Sequence, residues 1–181
     1  CSITFNDLNF RNKSRSNCGF GVFCQSTQSI FNNCQISNSS KIGLWCYLNS
    51  QVQITNTVIK DNKDSRLAVY FATFHAKSSS IDKNGNHGII CSGKGARCIL
   101  DECNISKHKT AGIFCVEKAT MDINGGTISQ NNDGISADSG ATINVSAMTR
   151  VFANECNLYQ DEANINVTKE DEQETKIEET I

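Results

Sequence analysis

Gly43-Leu44-Trp45-Cys46, "GLWC" at residues 43–46, holds the only tryptophan of the 181-residue chain and belongs to a series. Gly21-Val22-Phe23-Cys24, Gly88-Ile89-Ile90-Cys91 and Gly112-Ile113-Phe114-Cys115 repeat its pattern, and Ala68-Val69-Tyr70-Phe71 and Gly134-Ile135-Ser136-Ala137 read as degenerate copies. First residues of successive copies are 22, 25, 20, 24 and 22 apart. If each copy is a β-strand, neighbouring side chains point to opposite faces. Leu44 and Cys46 then share one side and Trp45 takes the other.

Between these copies lies a second register, seen in "FNDLNFRN" (5–12), "FNNCQISN" (31–38), "ITNTVIKDN" (54–62), "LDECNIS" (100–106) and "INGGTIS" (123–129). Its last apolar position falls at Phe10, Ile36, Ile59, Ile81, Ile105 and Ile128, in steps of 26, 23, 22, 24 and 23. Two independent registers thus agree on a period near 23 residues, which is the mark of a solenoid. Leucine-rich repeats share that period, but the chain has only six leucines and its second half-repeat reads as strand rather than helix. A parallel β-helix is expected, and because crossovers between parallel strands are almost always right-handed, a right-handed one. The absence of proline suits a backbone whose N–H groups are nearly all needed in ladders.

The repeat, Gly-Ile-x-hydrophobic followed by Ile-x-Asn-x-x-Ile-x-x-Asn, resembles the parallel β-helix repeats of the pectin-lyase-like superfamily. It is most similar to the generic right-handed β-helix modules of carbohydrate-active enzymes and intracellular adaptor proteins. The resemblance covers roughly residues 1–157 and implies an all-β solenoid of about seven coils. The expected organisation is a parallel β-helix over 1–160 and an acidic tail or capping helix over 161–181. Asn12, Asn38, Asn84, Asn131 and Asn154 fall at the expected bends, where stacked amides bond from coil to coil.

Ten cysteines invite a disulfide or metal reading, and the repeat argues against both. Cys24, Cys46, Cys91 and Cys115 occupy one register position on the inward side; Cys34 and Cys103 share another with Leu8, and Cys98 aligns with Ile3, Val52 and Met121. A residue that interchanges with Leu, Val, Ile and Met acts as a small core hydrophobe. No C-x-x-C pair is present, so no metal is expected. Free buried thiols imply a reducing compartment. Sequons beginning at Asn12, Asn38, Asn104, Asn144 and Asn166 are the counter-signal for secretion, but a chain this rich in asparagine and serine generates them by chance.

The resemblance prompts a search for catalytic groups. Glycosidases need two carboxyls facing one cleft, and the lyases implied by the resemblance need clustered acids for calcium plus a basic residue. "NNDGISADS" (131–139) is similar to a polygalacturonase element through Asn131, Asp133 and Gly134, but its companion aspartates, His-Gly and Arg-x-Lys elements are missing. His75, His87 and His108 lie in different bends without triad or metal order, and "SKHKT" (106–110) reads as a solvated bend. "SGKGAR" (92–97) lacks the spacing of a phosphate loop. No catalytic residue and no cofactor is expected.

The net charge of −2 hides a split. Residues 161–181 hold eight acids against two lysines, leaving 15 bases and 11 acids in residues 1–160. This is not a nucleic-acid signature, and no stretch approaches the roughly 20 apolar residues of a membrane span. Thr168 with Asp171 reads as a capping box opening a short helix that closes the last coil. The chain opens on Cys1 rather than methionine, so it is expected to be a piece or a processed form of something longer.

The registers point Trp45 outward. Phe23, Trp45, Tyr70, Ile90 and Phe114 are read into the same outward slot on five successive coils, ending at Ser136. At ~4.8 Å per coil such a stripe is roughly 20 Å long, and exposed apolar stripes of that size mark interfaces. The expected function is a non-catalytic docking module within a larger intracellular assembly of cytoskeletal or ciliary kind, bound to protein partners through this stripe. The alternative is a secreted polysaccharide-binding or polysaccharide-degrading protein.

Overall fold

The computed structural model describes residues 2–11, 19–63 and 67–168, and within them every regular element is a β-strand. The chain winds as a parallel solenoid whose coils each lay short strands on three faces. Face A starts with Ser2–Asn6 and continues through Gln28–Asn32, Gln51–Thr55 and Thr73–Lys77. Face B starts with Asn9–Arg11 and continues through Gln35–Ser37, Val58–Lys60 and Ser80–Asp82. Two longer strands, Arg97–Ser106 and Thr120–Ser129, then run round the corner from A to B, so the two faces form one 13-stranded sheet. Face C is a separate sheet of seven strands from Val22–Gln25 to Cys156–Asp161. Asn164–Val167 pairs with Thr142–Val145 on face A, which carries the winding past residue 160.

The coils stack because identical positions fall in register. Val22, Leu44, Leu67, Ile89, Ile113, Ile135 and Leu158 form one continuous column behind face C. Phe10, Ile36, Ile59, Ile81, Ile105 and Ile128 form the matching column behind face B, in the expected order. Strand alternation sends every second side chain into the rod, and from Ile36 to Ile135 the aligned Ile and Leu there are closed from water. Each coil leaves face B through a residue in left-handed conformation: Asn38, Asp61, Lys83, Lys107, Gln130 and Ala153, with φ of 59°, 55°, 49°, 62°, 58° and 53°. Proline, with φ fixed near −65°, fits none of these corners. The glycine at the start of five of the seven face C strands answers a different need. A Cβ on Gly88 would lie 2.4 Å from the carbonyl oxygen of Gly112 on the next coil.

The polar ladder runs at the B-to-C corner, one residue beyond the left-handed one. Its members are Ser39, Asn62, Asn84, His108, Asn131 and Asn154. Asn62 Oδ1 accepts from Ser39 N at 2.9 Å, Asn84 Oδ1 from Asn62 N at 3.0 Å, and Asn154 Oδ1 from Asn131 N at 2.9 Å. Asn84, Asn131 and Asn154 therefore stack as expected. Asn38 does not: it is the exposed left-handed corner residue, and Ser39 holds the ladder slot. Asn12 lies outside the described residues. His108 is not solvated either, being buried with Nε2 3.1 Å from the Ile81 carbonyl in the place of an amide.

The cysteines divide between two kinds of slot. Cys24, Cys46, Cys91 and Cys115 line one inward column with Val69 and Ala137, and Cys98 stands between Phe74 and Met121. Cys34 and Cys103 differ, because their slot also holds Thr57 and Ser79. Cys34 Sγ donates to the Asn32 carbonyl at 3.3 Å and Cys103 Sγ to that of Asp101 at 3.4 Å, as Thr57 Oγ1 does to Thr55 at 3.0 Å and Ser79 Oγ to Lys77 at 2.8 Å. These two thiols replace hydroxyls rather than methyl groups. The eight cysteines among the described residues are all free. The capping box expected at Thr168–Asp171 falls on the boundary of the described residues, with Asp171 beyond it.

Candidate partner-binding face

Trp45 sits on face C between the buried Leu44 and Cys46 and points outward. The outward row it belongs to reads Phe23, Trp45, Ala68, Ile90, Phe114, Ser136 and Tyr159. Four of the five expected stripe residues are therefore in one row. Tyr70 is not: it pairs with Tyr47 in the neighbouring outward column, and the buried Ala68 takes its expected place. A row with alanine in the middle is two patches rather than one stripe.

The larger patch covers the first coils. Trp45 contacts four rings, with centroids 5.0 Å from Phe20, 5.1 Å from Phe23, 5.5 Å from Tyr47 and 6.3 Å from Tyr70. Tyr70 thus rejoins the cluster from the next column. Phe20 and Tyr47 are members that the motif comparison missed. Tyr47 was within reach of it, since strand alternation puts residues 45 and 47 on the same side. The contacts are edge-to-face or tilted, 62° between Phe23 and Trp45 and 72° between Trp45 and Tyr70, as ring quadrupoles prefer. Trp45 Nε1 is enclosed and meets no hydrogen-bond acceptor among the described residues, so packing alone holds the indole. Phe23, at 48% exposure, is the most open ring of the cluster named among the exposed apolar residues. Lys41 Nζ lies 5.7 Å from the Phe20 centroid. The second patch is smaller: Phe114 stacks on His87 at 4.9 Å and 13°, and Thr110 Oγ1 lies 3.0 Å from His87 Nδ1.

Face A carries the polar chemistry. His75 Nε2 lies 2.6 Å from Asp101 Oδ2, and Asn124 donates to Asp101 Oδ1 at 2.8 Å. Arg97 donates to Asp122 at 2.9 Å and Asn144 donates to it at 2.8 Å. Partial burial pushes the Asp101 carboxyl up, but the hydrogen bonds from Asn124 and His75 and the charges of His75 and Lys77 outweigh it and leave the group below its usual range. Such a carboxyl stays ionised and is not a proton donor at neutral pH. Asn131, singled out for its likeness to a polygalacturonase element, spends its amide on His108 N and Asn154 in the ladder. The three histidines are far apart in role: one on face A, one against Phe114, one in the ladder. Among the described residues no group of three or more metal-ligating side chains converges.

A comparison with curated proteins finds no match. The sequence does match a family profile, "right handed beta helix region", over residues 1–98. That span is more than half of the chain and contains the aromatic cluster. The stacked parallel strands, the repeating inward columns and this match together place the chain in the right-handed beta helix family.

Proposed function

We propose that this β-helix is an interaction module that docks onto a protein partner through the aromatic cluster of face C. The observation that carries the reading is the cluster of Phe20, Phe23, Trp45, Tyr47 and Tyr70, whose Phe23 is 48% exposed. Aromatic residues gathered in one apolar patch are the commonest anchors of protein interfaces. Buried thiols that are all free among the described residues suit a reducing compartment. The same proposal therefore assigns the module to an intracellular assembly, of the cytoskeletal or ciliary kind.

Affinity capture followed by direct binding measurements on the captured protein tests the reading. Phe23→Ala removes an open ring and is expected to weaken binding by about 2 kcal/mol, or roughly thirtyfold, with little change in Tm. Trp45→Ala should weaken it as much but also lower stability, because Trp45 is wedged among four rings. Leu44→Ala, in the core, should cost about 2–5 kcal/mol of stability. Undiminished binding by both aromatic variants would remove the proposal.

A further inference from the structure

We infer that the docking partner presents an acidic polypeptide segment, received by a ridge of lysines that borders the aromatic cluster; this rests on the docking reading above. The ridge follows the corner between faces B and C. Lys41, Lys60, Lys63, Lys83, Lys107 and Lys109 lie there on four successive coils. At ~4.8 Å per coil they span roughly 15 Å along the rod. Lys63, Lys83, Lys107 and Lys109 are exposed. Ion pairs among the described residues join His75 to Asp101 and Arg97 to Asp122, both on face A, so none of the six lysines has a described carboxylate within pairing distance. Among the described residues Asp61 and Asp82 are the acids interleaved with them, and Asp82 accepts from Ser106 Oγ at 2.8 Å.

The ridge and the cluster share a border. Lys41 lies over Phe20, and Phe20 packs on Trp45. The positive charge is unevenly spread over residues 1–160, which hold 15 bases against 11 acids. Asp133, Asp138, Glu155, Asp161 and Glu162 make the far end of the rod acidic. A partner seated on the open rings thus meets ammonium groups on one side, and carboxylates are their complement. A polypeptide fits better than a nucleic acid because the six residues are lysines rather than arginines, whose planar forks grip phosphate in bidentate fashion.

The full chain is titrated with three fluorescent probes: a short peptide of alternating glutamate and leucine, its serine–leucine counterpart, and oligothymidylate. The glutamate peptide should bind most tightly at low ionic strength and weaken as salt rises. Lys63→Glu, Lys83→Glu and Lys107→Glu, combined in one variant, should lower its affinity by about tenfold. Because all three side chains are exposed, the variant should keep the wild-type circular dichroism spectrum and cooperative melt. No binding of the glutamate peptide, wild-type affinity in the triple variant, or tighter binding of oligothymidylate each overturns the inference. Phe23→Ala separates the two proposals. Loss of binding in that variant but not in the triple variant sinks the ridge alone, and the opposite pattern sinks the aromatic docking site alone.

Discussion

Cys46 is closed from water, and burial raises its thiol pKa well above the ordinary value, with Cys24 and Cys91 adding to the effect. Burial likewise dominates the raised pKa of Cys24 and Cys98, and pushes Cys103 up to about 11. Cys91 and Cys115 are also held protonated. In the unfolded chain these six thiols ionise near the ordinary thiol value of 9.0. A group whose pKa is raised by folding contributes stability that is fully present below the unfolded pKa. As pH climbs past that value the unfolded chain releases protons that the native state keeps, so stability falls by about 1.4 kcal/mol per pH unit for each thiol. Urea melts should give a level profile between pH 6 and 8 and a steep decline above pH 9, where several such terms add. A level profile through pH 10.5 would mean that the thiols are not the buried core groups described above.

Within a strand, the sequence determines which face a residue occupies more firmly than how far along it lies. The apolar columns at Ile36, Ile59, Ile81, Ile105 and Ile128 were legible because a one-residue slip would turn every side chain to the wrong face. A two-residue slip leaves the alternation intact, and it occurred at Ala68-Val69-Tyr70-Phe71. In the structure Leu67, not Val69, aligns with Leu44, so Tyr70 falls beside Tyr47. The signal was the irregular spacing: steps of 25 and 20 become 23 and 22 once Leu67 is set in the column with Leu44 and Ile89. At Asn38 the ladder was misread by one residue for a related reason. Its slot lies three residues after each column isoleucine, at Ser39, Asn62 and Asn84, and the asparagine at 38 drew attention away from the serine. Cross-column ring contacts such as Trp45 with Tyr70 follow from strand pairing and leave no trace in a single repeat. The same close fit between coils makes glycines testable as elements of the turn. Gly126 and Gly95 have φ of 85° and 87°, so alanine is equally strained at both. At Gly126, however, a Cβ would lie 2.0 Å from the Cys103 carbonyl oxygen, whereas at Gly95 nothing lies within 4 Å. Thermal melts should show Gly95→Ala costing about 1 kcal/mol and Gly126→Ala at least 2 kcal/mol more. Equal losses would show that backbone strain, and not the approach of the neighbouring coil, sets the requirement.

In the whole molecule each coil touches only the coils before and after it, so stability is a sum of coil and interface terms. Among the described residues the coils at the two ends have one neighbour. Ile3 and Leu8 at one end are 44% and 46% exposed, and Leu158 and Val167 at the other are 44% and 53% exposed. Inward residues of the middle coils, such as Leu67 and Ile89, are fully buried. Amide hydrogen exchange should therefore be slowest in Leu67–Tyr70 and Ile89–Ser92 and rise toward Ser2–Asn6 and Asn164–Val167. The ladder supplies the way to test whether the coils are coupled in series. Asn84 accepts from Asn62 N at 3.0 Å and donates to the Ile59 carbonyl at 3.3 Å, both across the interface with the preceding coil. Removing these bonds in Asn84→Ala, at about 1–3 kcal/mol for the buried groups left unpaired, weakens one interface in the middle of the rod. Exchange should then quicken in the coils on both sides of residue 84, because each half gains a frayed end. Asn154 makes the equivalent bonds near the terminus, to Asn131 N at 2.9 Å and the Ile128 carbonyl at 3.1 Å. Asn154→Ala should quicken exchange only in the last coils and leave Leu67–Tyr70 as protected as before. If it lowers protection along the entire rod by the same amount as Asn84→Ala, the molecule unfolds as a single unit, and a description by nearest-neighbour interfaces is wrong for it.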